Sequence, residues 1–421
     1  MGGRRTGPAR RHPGAAGAVA GQGAQGRVVG GPGAPHDRWN VRVQPPARTV
    51  PPYEPRSVST HDPVRLPPVT VRIALIASAR YPIREPFPGG LEAHTAGLAS
   101  RLRRRGHDVT VFGAPGSDPG LRVREMAVLP PISRAARSDV GMPPEWFLAE
   151  HHSYLELLLA LSRERGRYDV VHNNSLHYLP LALADTLDAP VLTTLHTPPT
   201  PWMESAVRLG DPHRLRFAAV SAHTARAWAP TGARATVVRN GVDTAAWEYG
   251  PGGGVPVWSG RVVPEKGPVE AIRAARLAGT GLRLAGPCPD RAFFDACVAP
   301  LLGDGVDYVG HLDHRALARL VGDATVAVVS PCWDEPYGLV VAEALACGTP
   351  IAGFARGALP EIVDPLSGVL AEPGDVEGLA EAIRAASLLH RTDARRHAEA
   401  TCSAEVMIDG YERLYQALAA A

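Results

Sequence analysis

From Val71 onward, short runs of consecutive apolar, often β-branched residues alternate with stretches whose apolar positions recur every three or four residues. The first series of runs is RIALIAS (72–78), DVTVFG (108–113), DVVHNN (169–174), PVLTTLH (190–196), RFAAVS (216–221) and ATVVRN (235–240). Most are continuous and not alternating, as strands buried on both faces of a parallel sheet must be. Helices are predicted between them. The clearest, 92–105, repeats Ala93, Ala96, Ala99 and Leu102 on one face and stops at Gly106, a suitable C-terminal glycine. After GPGGG at 250–254 a second series begins: VPVWSG (255–260), GLRLAG (281–286), VDYVG (306–310), TVAVVS (325–330) and TPIAGF (349–354). Helices are expected at 268–278, 313–321, 338–347 and 375–388. Two such series predict an α/β protein of two Rossmann-like doubly wound domains facing a cleft, with ligands at the strand carboxyl ends. The GPGGG stretch reads as the linker, because its glycines precede a strand where a phosphate loop follows one. Segments 114–150 and 196–215 carry no clear periodicity and read as long irregular loops.

Composition separates a tail from this pattern. Residues 1–70 hold ten Arg, three acids, eleven Gly and twelve Pro, with one Leu and no Ile or Phe. Such a segment cannot bury enough apolar surface to offset chain entropy, so we read it as a disordered Arg/Gly/Pro-rich tail. The apolar pattern starts so abruptly at Val71 that it suits a translation start there. The whole chain carries a formal charge of only +2, which gives no electrostatic case for nucleic acid. No apolar run reaches the roughly 18 residues needed to span a bilayer. The five cysteines are an odd count without a CxxC pair, which points to buried free thiols, a reducing compartment and a cytoplasmic location. Arg101, Arg103, Arg104 and Arg105 close the helix 92–105 and complement its dipole. A lipid-phosphate role is the sharper alternative for that cluster, so membrane contact is at most peripheral.

Three constellations carry chemistry. In Gly260-Arg261-Val262-Val263-Pro264-Glu265-Lys266-Gly267, at the end of the second series' first strand, Arg261 and Lys266 can converge on one anion. Of the 44 basic residues Lys266 is the only lysine, and a compact ammonium suits a tight phosphate pocket better than the wide guanidinium fork. In Asp334-Glu335-Pro336-Tyr337-Gly338-Leu339-Val340-Val341-Ala342-Glu343, a helix begins near Gly338 and its free N–H groups form an anion site. Glu335 and Glu343, two turns apart, can face one pocket and accept hydrogen bonds from sugar and ribose hydroxyls. A simple helix-start charge explains Glu335 but not a carboxylate within LVVAEALA. Gly89-Gly90, between the first strand and first helix, suits a close approach of backbone to phosphate or a plain flexible turn.

These segments, GRVVPEKG, the Glu-x7-Glu of EPYGLVVAE, ALACGTPI and GGLEAHTAGLASRLRRRGHDVTVF, resemble glycosyltransferase family 4, the retaining, nucleotide-sugar-dependent enzymes of the GT-B fold. The resemblance covers the chain from about Val71 to the C-terminal helix. It implies a hexose moved from a nucleoside diphosphate sugar, UDP- or GDP-linked, to a hydroxyl acceptor with retention. It implies catalytic roles for Arg261 and Lys266 on the donor diphosphate, for Glu335 on the donor sugar and for His196 near the reacting sugar. Glu343 would hold the ribose, and Gly338, Leu339, Val340, Gly89 and Gly90 would offer backbone N–H groups. Gly310 and His311 occupy the base-contacting segment, and His172 and Asn174 are placed on the acceptor side. Expected domains are 71–245 for the acceptor, 246–405 for the donor, and a C-terminal helix, 406–421, packing back on the first. No cofactor is expected, with the nucleotide sugar as co-substrate, and no metal, since Lys, Arg and a helix N-terminus can replace the cation. Where the family often has Gly-Gly before Pro-Glu, this chain has Gly357-Ala358, and the Ala358 methyl restricts positive φ. A nucleotide-sugar epimerase on the same fold and a non-catalytic sugar-nucleotide-binding protein are the alternatives. The acceptor, a small molecule, lipid or glycan, is not specified by any of these motifs.

Overall fold

In the computed structural model of the chain, residues 70–419 are described. Residues 1–69, nearly all of the expected tail ahead of the proposed start at Val71, lie outside the described residues. The first sheet contains β1 (Arg72–Ile76), β2 (Asp108–Gly113), β3 (Val123–Glu125), β4 (Val170–Asn173), β5 (Val191–Leu195), β6 (Leu215–Ala219) and β7 (Ala235–Val237). All pairings are parallel, in the order β3-β2-β1-β4-β5-β6-β7. The uninterrupted apolar run of β1 explains its central place. Ile73 and Leu75 enter one core, Ala74 and Ile76 the other.

The second sheet contains β8 (Val257–Ser259), β9 (Leu282–Ala285), β10 (Val306–Tyr308), β11 (Ala327–Val329), β12 (Ile351–Phe354) and β13 (Gly368–Ala371), in the order β10-β9-β8-β11-β12-β13. The longer helices are α1 (Gly90–Arg104), α2 (Glu145–Arg163), α3 (Pro201–Leu209), α4 (Ala222–Trp228), α5 (Pro268–Ala278), α6 (His314–Asp323), α7 (Leu339–Ala346), α8 (Val376–Ala386), α9 (Arg391–Thr401) and α10 (Ala404–Ala419). In each sheet the order reverses beside the first strand, between β1 and β4 and between β8 and β11. That is where crevices open at the strand carboxyl ends.

Two expectations about loops are corrected. Segment 114–150 holds β3 and the start of α2, and segment 196–215 holds α3 and the first residue of β6. Both helices follow proline-rich entrances, Pro144 before α2 and Pro201 at the first position of α3. Proline at a helix start is compatible with the fold even though it reads as loop.

Helix α10 returns to the first domain. Met407, Ile408, Tyr411 and Tyr415 complete the core under β1 and α1, and Arg105 is clamped by Glu405, Asp409 and Glu412 at 2.6, 2.7 and 3.0 Å. Arg103 donates to the carbonyls of Val109 and Leu121 at 2.8 and 2.6 Å, and Arg101 pairs with Asp243 at 2.6 Å. The basic end of α1 is therefore engaged within the protein, with Arg104 left exposed, and the lipid-phosphate alternative loses its cluster. Among the described residues no helix is long and apolar enough to cross a membrane. Of the five thiols only Cys347 and Cys402 are buried, while Cys297 and Cys332 are exposed.

Candidate active site

The loop after β8 is fixed by its neighbours. Gly267 sits at φ +66°, and a Cβ there would lie 1.8 Å from the Ser330 carbonyl oxygen, so only glycine fits. Ser330 Oγ donates to the Gly267 carbonyl at 2.7 Å, and the Cys332 N–H donates to the Glu265 carbonyl at 2.9 Å. This binds the loop to the segment leaving β11 and sets Lys266 against Glu335. Lys266 Nζ donates to Glu335 Oε2 at 2.5 Å, and Trp333 Nε1 donates to the same oxygen at 3.1 Å. Among the described residues Glu335 Oε1 has no partner, and two of the three Nζ donors remain free. The Nζ also lies 5.2 Å from the Trp333 ring centroid. Arg261, on the same loop, is exposed and 3.6 Å from Glu265.

The Glu335 loop is held from the other side by Gly357, at φ +64°, where a Cβ would fall 2.3 Å from the Glu335 backbone N and O. Ala358 adopts φ −86° and donates its N–H to the Glu335 carbonyl at 2.8 Å. The restriction expected from its methyl does not arise, because the positive φ falls on Gly357. Gly338 caps α7, whose first hydrogen bond runs from the Val341 N–H to the Gly338 carbonyl at 3.0 Å. The N–H groups of Leu339 and Val340 precede that bond and remain available. Glu343, one further turn along, is half-buried on the cleft wall without a hydrogen-bond partner among the described residues. Burial alone pushes its carboxyl up to about 7.

The first domain supplies the opposite wall. Gly89 is extended and Gly90 opens α1; a Cβ on Gly90 would lie 2.8 Å from Leu339 Cδ1, so the walls approach closely there. His94, one turn along α1, is buried, and neither ring nitrogen has a hydrogen-bond partner among the described residues. Burial pushes it down to about 4. It stands edge-on to His196 at 5.0 Å. His196 follows β5 and bonds Asn174 Oδ1 through Nε2 at 2.8 Å. Burial, and then the neighbouring His94 and His172, hold it well below the usual histidine range.

One cleft of about 870 Å³ is lined by Gly89, Gly90, His196, Arg261, Lys266, His311, Glu335, Gly338, Leu339, Val340 and Glu343. Three predicted residues lie outside it. His172 is not on an acceptor surface: it is fully buried in β4, with Nδ1 on Tyr415 OH at 2.7 Å and Nε2 on Thr194 Oγ1 at 2.8 Å. Asn174 is equally buried and anchors His196. Gly310 is half-buried outside the cleft lining, its carbonyl accepting the Gly286 N–H at 2.9 Å. His94 and Trp333 were not singled out in the sequence. His94 is signalled only by its place four residues after Gly90, and Trp333 only by its adjacency to Asp334-Glu335.

The two domains meet at the rim of this cleft. Glu361 accepts the N–H groups of Ala222 and His223, at the start of α4, at 2.7 and 2.5 Å. Ser221 Oγ donates to the Pro336 carbonyl at 2.7 Å.

Facing Rossmann-like domains with cations, carboxylates and a free helix N-terminus in the crevice define a glycosyltransferase of the GT-B class. Residues 88–246 match the model for Glycosyltransferase Family 4 and residues 254–401 that for Glycosyl transferases group 1. The chain is 31% identical over 343 residues to a glycogen synthase of Mycobacterium tuberculosis, covering 70% of this chain and 82% of that protein. It is also 31% identical over 371 residues to the 2-deoxystreptamine N-acetyl-D-glucosaminyltransferase of Streptomyces fradiae, covering 75% of this chain and 86% of that one. The structure of Anabaena HepE in complex with UDP-glucose shares the fold, with a TM-score of 0.64, 17% identity, and coverage of 83% of this chain and 100% of that one. The chain belongs to glycosyltransferase family 4.

Proposed function

We propose that the protein is a retaining hexosyltransferase, moving a hexose from a UDP- or GDP-linked donor to an acceptor hydroxyl without a bound metal. The observation that carries this reading is the convergence of Lys266, Glu335, Glu343 and the open N-terminus of α7 in one cleft. Lys266 Nζ, with two donors free, and Arg261 bind the diphosphate. The Leu339 and Val340 N–H groups and the positive end of α7 face the same charge. Glu343 takes the ribose hydroxyls. Glu335, oriented through Oε2 by Lys266 and Trp333, offers Oε1 to a sugar hydroxyl. His196 donates from Nε2 to Asn174, so its Nδ1 is an acceptor at the reacting sugar.

As the bond between the anomeric carbon and the phosphate oxygen breaks, negative charge develops on the nucleoside diphosphate. The fixed cations and dipoles stabilise it. The acceptor oxygen bonds to the anomeric carbon on the same face, and its proton passes to the departing phosphate oxygen. The expected epimerase and binding-protein alternatives find no support among relatives named as a glycogen synthase and a glucosaminyltransferase. The unpaired thiols suit the cytoplasmic setting expected from the sequence.

The test is a thermal-shift screen against UDP-, GDP- and ADP-hexoses in the presence of a chelator, followed by NMR of the product from the best donor. A raised melting temperature with a UDP- or GDP-hexose and an unchanged anomeric configuration are expected. Inversion, or binding that requires added metal, overturns the corresponding part.

A further inference from the structure

Beside the donor cleft, a run of aromatic rings lies on the first domain that the chemistry above does not use. Tyr178 and Trp202 are stacked at 5.3 Å, Trp202 and Phe147 stand 6.0 Å apart, and Phe147 and Trp146 5.8 Å apart. The Arg80 guanidinium lies over the Trp146 ring, 4.5 Å from its centroid, and is held by Glu150 at 2.5 Å. Behind Tyr178 the stack continues inward through His177 at 4.8 Å to buried Tyr154 at 4.5 Å. Trp146 and Trp202 are 57% and 58% exposed, whereas Trp228 and Trp258 are fully buried. Rings so exposed gain little for folding, yet their positions are fixed by stacking and by the ion pair.

The topology puts this run next to the cleft. Tyr178 follows β4 and Trp202 follows β5. Trp146 and Phe147 open α2, which runs back toward the start of β4, so all stand at the carboxyl edge of the sheet with Gly90 and His196. Leu176, two residues before Tyr178, lines the cleft itself, as do His196 and Thr197 ahead of Trp202. The Thr197 carbonyl is pinned by Trp228 Nε1 at 2.7 Å.

We propose that this platform binds the acceptor and that the acceptor is a carbohydrate chain, its rings stacked on Trp202, Tyr178, Phe147 and Trp146 while its terminal hydroxyl enters beside His196. This rests on the transferase reading above. The C–H face of a pyranose is apolar and slightly positive, and an aromatic face carries the complementary negative quadrupole. Sugar hydroxyls at the ring edges need polar partners, and these flank the platform. Glu150 and Arg80 stand at one end, Glu204 with Arg208 at 2.7 Å at the other, and the Tyr178 hydroxyl, 3.2 Å from His151 Nδ1, between them. A lipid surface is the poorer match: the rim consists of paired acids and bases, not the uncompensated basic cluster that anionic headgroups attract.

The test uses the full-length protein, labelled and applied with UDP and GDP to an array of immobilised saccharides spanning α- and β-linked hexose oligomers. Wild type is expected to be retained on at least one saccharide class. Trp202→Ala and Trp146→Ala should weaken retention at least tenfold, and Trp202→Tyr should restore it. Because both tryptophans are exposed, the variants should keep wild-type melting and wild-type thermal shifts with nucleotide sugars. With the saccharide retained on the array as acceptor, Trp202→Ala should raise the acceptor KM and leave the donor KM unchanged. Absence of retention on every saccharide, equal retention by the alanine variants, or loss of binding to phosphatidylglycerol vesicles as their only defect overturns the proposal. If wild type shows no nucleotide-sugar shift at all, it is the transferase reading that fails.

Discussion

Lys266 and Glu335 are 69 residues apart in the chain and 2.5 Å apart in the cleft. The chemistry of each was legible in the sequence: a lone lysine in an arginine-rich chain, and a carboxylate just ahead of a helix. Their pairing was not, because it depends on the stitching of Gly267 to Ser330. His172 shows the opposite failure. The family resemblance put it on the acceptor side, but its partners Tyr415 and Thr194 come from a distant helix and a neighbouring strand. Buried histidines and Glu343 set opposing pH dependences. His94, His172 and His177 are pushed by burial down to about 4, 3 and 4. Below about pH 6.5 the unfolded chain binds protons that the folded chain refuses, so stability falls on acidification toward about pH 4. Glu343, raised to about 7, holds in the fold a proton that the unfolded chain releases above about 4.5, so its contribution is lost as pH rises through 7. Glu343→Gln should therefore raise the melting temperature at about pH 8, with the gain shrinking toward about pH 5. A loss at the alkaline end counts against this assignment. The same variant should bind the donor about tenfold more weakly, which is about 1.4 kcal/mol, by calorimetric titration.

At the scale of elements, the central strands announced themselves through unbroken apolar runs. The short edge strand β3 and the proline-entered helices α2 and α3 did not, because edge strands are half solvated and proline reads as a break. Three of the platform's four rings, Trp146, Phe147 and Trp202, sit on those missed helices, so the sequence could not assemble it. Two elements invite direct tests. Gly267→Ala places a methyl against the Ser330 carbonyl, so the protein should melt earlier, by more than about 1 kcal/mol. Lys266 should at the same time be displaced from Glu335, with donor binding weakened. A variant with unchanged melting and donor affinity would mean that the loop is not fixed as described. Tyr415→Phe removes the partner of His172 Nδ1 and should cost about 1–3 kcal/mol in chemical denaturation. Its donor affinity should be unaltered, since α10 lies away from the cleft lining.

At the scale of the molecule, two parallel sheets and a crevice between them follow from strand order and from the rule that ligands gather at carboxyl edges. What the sequence did not reveal is how the domains are held. Glu361 reaches across to the first turn of α4, a contact between residues about 140 positions apart. We expect Glu361→Ala to lower turnover by about tenfold through loss of domain alignment, while UDP affinity changes less than twofold. Equal losses in both, measured by steady-state kinetics and titration, would assign Glu361 to donor binding instead.

The central claim is that this cleft cleaves a nucleoside diphosphate sugar with Lys266 on the diphosphate. Its most direct test is release of nucleoside diphosphate from UDP-, GDP- and ADP-hexoses by wild type and Lys266→Ala, each with a pooled set of hydroxyl acceptors. We predict release from a UDP- or GDP-hexose, reduced about 10²–10³-fold in the variant, the loss expected when a fixed group that stabilises developing charge is removed. No release from any donor, or equal release by Lys266→Ala, would contradict the account.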